Sequence, residues 1–232
     1  MIRVAKEWNP KQFSLRKLLP KPEKFDEAIR LCLQMHSLVH NSKVSRCNHT
    51  TYEDKLWDGL AEEVFRAILA IKKTTIAWNL WHITRIEDIV ANILIADGEQ
   101  ILNNDWLRSL NTTIRDTGNA MTAEEIVDFS NTIVMKELRK YRTAVGRKTR
   151  EIIGQLKVTD LKRKMRSIQL KRIIDEEAVL EIKGSRWLVD FWGKKTVTGL
   201  LLMPITRHQI VHLNTAFKIK ERCLKTSRNM CK

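Results

Sequence analysis

Apolar residues recur at intervals of three and four through most of this sequence, which is the spacing of amphipathic helices. Long stretches with this pattern lie at residues 22–40, 74–102, 122–156 and 196–220. Shorter ones predict helices over residues 51–71 and 161–173. Threonines precede two of these segments as candidate N-caps. They are Thr50 or Thr51 for the first and Thr122 for the second, the latter within a Thr-x-x-Glu capping signature. The pattern therefore predicts an all-α protein with four principal helices.

Composition agrees with this fold class. Only 8 glycines and 4 prolines occur in 232 residues, and helix interiors avoid both residue types. A chain of this length can bury one sizeable core, and no repeat or linker divides it. We expect a lead-in at residues 1–21 that packs loosely, one domain at residues 22–220 and a basic, frayed C-terminal tail at residues 221–232.

The charge balance leaves several partners open. Lysine and arginine number 42 against 27 aspartates and glutamates, a net charge of +15, which suits nucleic acid, an anionic membrane or an acidic small molecule. The basic residues are spread over the predicted helix faces without a recognised nucleic-acid motif, so solvated faces are preferred and nucleic acid is disfavoured. No apolar run approaches the ~20 residues of a membrane helix, and no signal peptide is apparent. We expect a cytoplasmic protein without a membrane partner.

The four cysteines are expected to be reduced. Cys32, Cys47, Cys223 and Cys231 are scattered and form no Cys-x-x-Cys pair, which argues against a disulfide framework and a zinc knuckle.

Three histidines are candidate metal ligands. His208 and His212 lie one helical turn apart and share the apolar face of the last long stretch. His82 lies on the apolar face of the second stretch, between Trp78 and Ile86. A buried neutral imidazole needs a partner, and two facing helices could supply a three-histidine site. Pro204 also predicts a helix kink just before His208.

Several stretches resemble the DinB/YfiT-like superfamily of metal-dependent four-helix-bundle proteins. Besides the three histidines, they are WNLWHITRIED (78–88), RDTGNAMT (115–122), YRTAVGRKTREI (141–152) and DFWGKKTVTGLLLMPITRHQIVHLN (190–214). The resemblance extends from about Lys21 to about Lys220. It implies an all-α, DinB/YfiT-like four-helix bundle with additional short helices, in which His82, His208 and His212 bind a divalent ion.

Three histidine ligands leave a tetrahedral ion one open position, as in catalytic zinc sites. That position could hold an acidified water or an activated thiolate. Because DinB-like proteins include members associated with transfer of low-molecular-weight thiols, the resemblance implies a small-molecule substrate and a metal-dependent thiol transferase or hydrolase. Zinc or nickel is the expected ion, although imidazoles also suit iron and copper. A non-enzymatic, stress-associated metal-binding bundle is the alternative, and either a monomer or a homodimer is compatible with the sequence.

Five further residues are candidates for supporting the ligands or contacting substrate: Arg85, Glu87, Asp88, Tyr141 and Arg207. Glu87 or Asp88 could accept a hydrogen bond from a ligating imidazole, or could form a surface salt bridge. Tyr141 could direct its hydroxyl group toward the metal or pack in the core with the hydroxyl at the edge. Arg207 could pair with a substrate carboxylate or phosphate, or lie exposed on the helix flank.

Two other histidine groupings are expected not to bind metal. His36 and His40 form an i, i+4 pair, but His40 begins a polar loop and the resemblance implies no ligands there. Cys47 and His49 lie together in the same loop, where such a pair is usually incidental.

Overall fold

The long helical segments pack side by side in a computed structural model, which describes residues 4–68 and 74–230. The α-helices are α1 (Asn9–Leu18), α2 (Phe25–Val39), α3 (Ser42–Ser45), α4 (Tyr52–Trp57), α5 (Glu62–Arg66), α6 (Ile76–Asp88), α7 (Asn104–Leu110), α8 (Ala123–Thr132), α9 (Met135–Gln155), α10 (Ser167–Asp175), α11 (Trp187–Gly193), α12 (Val197–Leu202) and α13 (His208–Met230). Short π-helical turns cover Val4–Trp8, Ile89–Ile95 and Met203–Arg207, and 3-10 turns cover Pro22–Lys24 and Val158–Lys162. The described residues contain no β-strand, so the all-α prediction is confirmed.

Helix α6 is the centre of the fold. All 13 of its residues are buried, and the helix packs against both α9 and α13. Helix α2 also contacts α9 and α13, which closes the group around one core. A helix that is largely apolar around its circumference is stable only when neighbours cover every face. Within residues 4–68 and 74–230, no helix is both long enough and apolar enough to cross a membrane.

Both predicted threonine caps are present. The Thr51 side chain accepts a hydrogen bond from the backbone N–H of Asp54, and Thr122 does the same for Glu125. In each case the acidic side chain accepts a hydrogen bond from the threonine backbone N–H, which completes a capping box.

Two predicted helices are each split in the structure. The segment expected to be helical over 51–71 contains α4 and α5, which are separated at Gly59, where φ is +58°. Its expected end at Ile71 lies outside the described residues. The stretch 122–156 contains α8 and α9, because Val134 is extended and its N–H donates to the Leu110 carbonyl oxygen, 3.0 Å away. Apolar periodicity continues across both breaks and therefore does not reveal them.

The helix predicted over 74–102 ends earlier. After α6 and its π-helical turn, the chain leaves the helix at Ile95, and Asp97 adopts a left-handed φ of +57°. The Asp88 carboxylate then accepts hydrogen bonds from the backbone N–H groups of Ile101 and Leu102, at 2.8 and 3.0 Å. The Asp88 side chain, which belongs to α6, thus holds the segment that follows the helix and fixes the direction in which the chain turns.

The chain ends also differ from expectation. The lead-in contains α1, and its Trp8, Leu15 and Leu19 side chains are buried in the core instead of packing loosely. The segment predicted as a frayed tail is helical through Met230 as the end of α13.

The predicted irregularity at Pro204 is present. Helix α12 ends at Leu202, and a π-helical turn containing Pro204 precedes α13. Side chains bind the last carbonyl groups of α12: Gln12 donates to the Leu202 oxygen (2.8 Å) and Thr206 donates to the Leu201 oxygen (2.8 Å). His208 is therefore the first residue of a new helix, α13.

Candidate metal centre

Helices α6 and α13 bring three imidazole rings together. The ring centroids of His82 and His208 are 5.1 Å apart, those of His82 and His212 are 4.7 Å apart, and those of His208 and His212 are 4.5 Å apart. One nitrogen from each ring lies within 4.8 Å of the nitrogens from the other two. We call His82, His208 and His212 the histidine triad. Its nitrogens are close enough for one metal ion to join them.

Neighbouring oxygen atoms orient two of these rings. Nδ1 of His82 donates to the Thr117 carbonyl oxygen at 2.8 Å, and Nδ1 of His212 donates to Oδ1 of Asn79 at 2.8 Å. Because each oxygen can only accept, the proton lies on Nδ1 and the lone pair lies on Nε2. This is the usual arrangement around a metal-binding histidine, where the second ring nitrogen is held by a hydrogen bond.

The Asn79 side chain is itself held in place. Its Nδ2 group donates to the Thr75 carbonyl oxygen at 2.7 Å and to the Thr74 hydroxyl oxygen at 3.1 Å. These two bonds assign the amide nitrogen and point the amide oxygen at His212. The orientation of one triad ring is therefore set by the first turn of α6.

The loop between α7 and α8 carries the oxygen that orients His82. Gly118 has a φ of +68°, and a Cβ added there would lie 2.9 Å from Nε1 of Trp78. That indole nitrogen donates to the Gly118 carbonyl oxygen at 3.0 Å. The Trp78 ring also stacks on His82, with centroids 4.7 Å apart and planes 9° apart. Glycine thus permits a close loop–helix contact that places Thr117 against the triad.

All three triad imidazoles are neutral near neutral pH. Burial lowers the pKa of His82 to about 4, and burial together with His82 lowers that of His208 to about 3. Burial, followed by the two neighbouring imidazoles, lowers the pKa of His212 well below its ordinary value. Neutral imidazole is the form that binds metal, so ligation need not displace a proton from these rings.

Arg85, Asp88 and Tyr141 form a separate buried network. Arg85 donates to Asp88 and to the Tyr141 hydroxyl oxygen, each at 2.9 Å, and that hydroxyl donates to Asp88 at 2.6 Å. Of the alternatives that the sequence left open, a buried Tyr141 agrees with these contacts, and Asp88 does not form the hydrogen bond to His82. Their hydrogen bonds tie α6 to α9 instead.

Glu87 also lies away from the triad, and its partners are His36 and His40. Its two carboxylate oxygens accept hydrogen bonds from Nε2 of His36 at 2.8 Å and Nε2 of His40 at 2.9 Å. Burial opposes ionisation of Glu87, but the attraction and hydrogen bonds of His40 and His36 lower its pKa well below the ordinary value. All three residues are fully buried. His40 does begin the loop after α2, as expected, but its side chain lies in the core. The sequence did contain a signal for this contact, because a glutamate on a helix that is buried in the core needs a polar partner there.

The remaining candidates are on the surface. Arg207 is exposed on the turn before α13. His49 is exposed as well, and Cys47 donates a weak hydrogen bond to its carbonyl oxygen. Within the described part of the chain, neither Cys47 nor His49 belongs to a cluster that could hold an ion.

A cleft of about 1090 Å³ lies beside the loop that carries Thr117. Asp116, Ala120 and Met121 of this loop contribute to its wall, but the triad histidines do not. Burial raises the pKa of Asp116 above its ordinary value. The same loop therefore contacts the triad through Thr117 and lines the cleft through other residues, and the triad histidines do not line the cleft.

Comparison with protein families identifies one match. Residues 51–216 match the sequence model of the DinB superfamily, a range that includes the whole triad. His36 and His40 lie before the matched range. No curated protein matches the chain.

Proposed function

Because the chain belongs to the DinB superfamily, we propose that His82, His208 and His212 bind one divalent ion and leave one coordination position open. The observation that supports this most is the orientation of His82 and His212, whose Nδ1 protons are engaged and whose Nε2 lone pairs are free for an ion. We propose zinc or nickel, since imidazole nitrogen suits both.

The open position is proposed to bind the thiolate of a low-molecular-weight thiol, which makes the protein a metal-dependent thiol transferase. A divalent ion with three neutral ligands keeps its full charge, favours an anionic fourth ligand and lowers the pKa of a bound thiol or water. Among the described residues, no carboxylate forms a hydrogen bond or ion pair with the triad. Nothing described is thus placed as a general base to assist hydrolysis, and a thiol, which is far more acidic than water when free, releases its proton to solvent more completely on such an ion.

The protein residues have three roles in this proposal. Thr117 and Asn79 orient ring nitrogens through their oxygen atoms. Trp78 covers one face of His82 and excludes water from it. His208 and His212 are partly exposed, unlike His82, so substrate is expected to approach from the α13 side.

Metal analysis of untagged protein tests the site. Replacing any triad histidine by alanine should remove one equivalent of ion, whereas His49→Ala, on the surface, should remove none. The helices should remain formed because packing supplies most of their stability. If the three histidines only pack the core, the variants will lose stability with no metal-dependent difference. Protein that acquires no ion under any supplied metal would refute the proposal.

Cobalt substitution tests the reaction. Adding a small thiol to Co²⁺-loaded protein should produce a sulfur-to-metal charge-transfer band that is lost in His212→Ala. A conjugation screen with electrophilic acceptors should then show turnover of the same thiol. Ester or amide cleavage without thiol ligation would favour the hydrolase, and ion binding with neither would favour a non-enzymatic metal-binding bundle.

The proposed setting is a cytoplasmic homodimer. Cys32 and Cys47 form no disulfide, which is compatible with a reducing compartment. Cell fractionation and light scattering test the location and the assembly. Retention of duplex DNA at physiological salt would instead support a nucleic-acid function, because charge-only association weakens steeply as salt rises.

A further inference from the structure

The group His36, His40 and Glu87 has the composition and placement of a second metal site. We propose that these three side chains bind a divalent transition-metal ion between α2 and α6, separately from the histidine triad. Each of the three residues offers one ligand atom, and these atoms all lie within 4.8 Å of one another. Nε2 of His36 and Nε2 of His40 both contact the Glu87 carboxylate. His36 lies in the last turn of α2 and His40 directly follows the helix, and their rings stack with centroids 4.2 Å apart. Helical bundles commonly build metal sites in this way, from side chains on facing helices.

The ligand set limits the kind of ion. Two imidazole nitrogens and one carboxylate oxygen suit Fe²⁺, Co²⁺ and Zn²⁺, whereas Mg²⁺ and Ca²⁺ prefer all-oxygen sites. All three side chains are fully buried. We therefore assign the site a structural role, in which the ion links α2 to α6.

The charges around the group favour an added cation. Besides Glu87, the Glu53 carboxylate lies 3.8 Å from Nδ1 of His40. Arg142 is ion-paired with Glu53 at 2.9 Å. Among the described residues, Arg142 is thus the one lysine or arginine paired with either of these two carboxylates, and all three side chains are buried. Buried charge of this kind is costly unless a counter-charge is present.

The ring hydrogen bonds favour an ion over an added proton. Nδ1 of His36 and Nδ1 of His40 are both buried and have no hydrogen-bond partner in residues 4–68 and 74–230. While Nε2 of His40 donates to Glu87, its Nδ1 lone pair faces the Glu53 carboxylate and is repelled by it. An ion at Nε2 would move the ring proton to Nδ1, where it faces that carboxylate favourably. A single added proton can protonate only one of the two rings, whereas a single ion can bind Nε2 of both and move both ring protons to Nδ1.

The site is linked to the triad without sharing a ligand. Glu87 lies five residues after His82 on α6. Arg142, the partner of Glu53, also donates to Oε1 of Gln209 at 3.0 Å. Gln209 lies between the two triad residues of α13. An ion at the second site would thus stiffen the helices that carry the triad.

The experiment separates the two sites by stoichiometry. Full-length protein refolded with Zn²⁺ and desalted should contain two ions per chain, and the double variant His208→Ala/His212→Ala should contain one. Adding Glu87→Gln, which keeps the shape of the side chain and removes its charge, should reduce this to none. Circular dichroism should show that each variant is folded. Zinc-free double variant, or zinc that persists after Glu87→Gln, would overturn the proposal.

A second measurement covers the case in which Glu87→Gln does not fold. The Co²⁺-loaded His208→Ala/His212→Ala protein should show two paramagnetically shifted exchangeable ring N–H signals, one each from His36 and His40. An absence of such signals would refute the site. Chelator should also remove the triad ion from the parent protein much faster than the second ion, because the second ligands are fully buried. Equal release rates would count against a buried second site.

Discussion

Asn79→Ala is expected to weaken metal binding although Asn79 is not itself a proposed ligand. The Asn79 side chain is 1 % exposed, and its Oδ1 accepts the Nδ1 proton of His212 at 2.8 Å. Alanine leaves that proton without its acceptor and lets the ring rotate or adopt the other tautomer. The Nε2 lone pair is then no longer held toward His82 and His208.

The size of the effect follows from this geometry. Removing the hydrogen-bond partner of a ligating histidine typically costs about 10–100-fold in metal affinity, which corresponds to about 1.4–2.8 kcal/mol of binding free energy. Asn79 also donates to two oxygens at the start of α6. The metal-free variant should therefore lose about 1–3 kcal/mol of unfolding free energy as well, because the unpaired groups are buried.

Competition with a chromophoric chelator would measure Zn²⁺ affinity, and urea titration would measure stability. Asn92→Ala is a matched control: Asn92 is equally buried, and its amide donates to the carboxylate and carbonyl of Asp88 without touching the triad. The control should lose stability but keep its affinity for the triad ion. Wild-type affinity in Asn79→Ala would refute the role assigned to Asn79, and equal weakening in both variants would reduce it to a general stability effect.

Two further predictions follow from packing and protonation. On α9, Gly146→Ala should be less stable than Gly154→Ala by about 1–3 kcal/mol, because a Cβ at Gly146 would lie 2.6 Å from Nδ1 of His40 whereas one at Gly154 meets nothing within 4 Å; equal urea midpoints would contradict this. Burial lowers the pKa of His82 from 6.5 to about 4, so between these values only the unfolded chain takes up this proton and metal-free protein should lose stability as the pH falls. In His82→Gln, the slope of unfolding free energy against pH should decrease by up to about 1.4 kcal/mol per pH unit, and an unchanged slope would show that His82 is not a buried neutral base.

Local sequence determined the parts of this protein that depend on neighbours along the chain. The recurrence of apolar residues at intervals of three and four was enough to predict the all-α fold. It also placed His208 and His212 together on an inward-facing side of their helix. The capping box at Thr122 was equally predictable, since cap and acidic residue are three positions apart, and a threonine cap was predicted at Thr50 or Thr51. The helix breaks at Gly59 and Val134 were missed because apolar periodicity continues across them.

Only the tertiary structure decided which side chains meet. His36 and Glu87 are 51 residues apart in the chain, and helical spacing predicts that each faces inward without saying which helix lies opposite. The same limit applies to Asp88, for which support of His82 was one alternative. Its carboxylate instead accepts from Tyr141 and from the N–H groups of Ile101 and Leu102, beyond the end of its own helical segment. Periodicity is a property of one helix, whereas these hydrogen bonds depend on how helices are paired and rotated. That pairing follows from the burial of α6 on all sides, which brings its polar residues against partners from α2, α9 and α13.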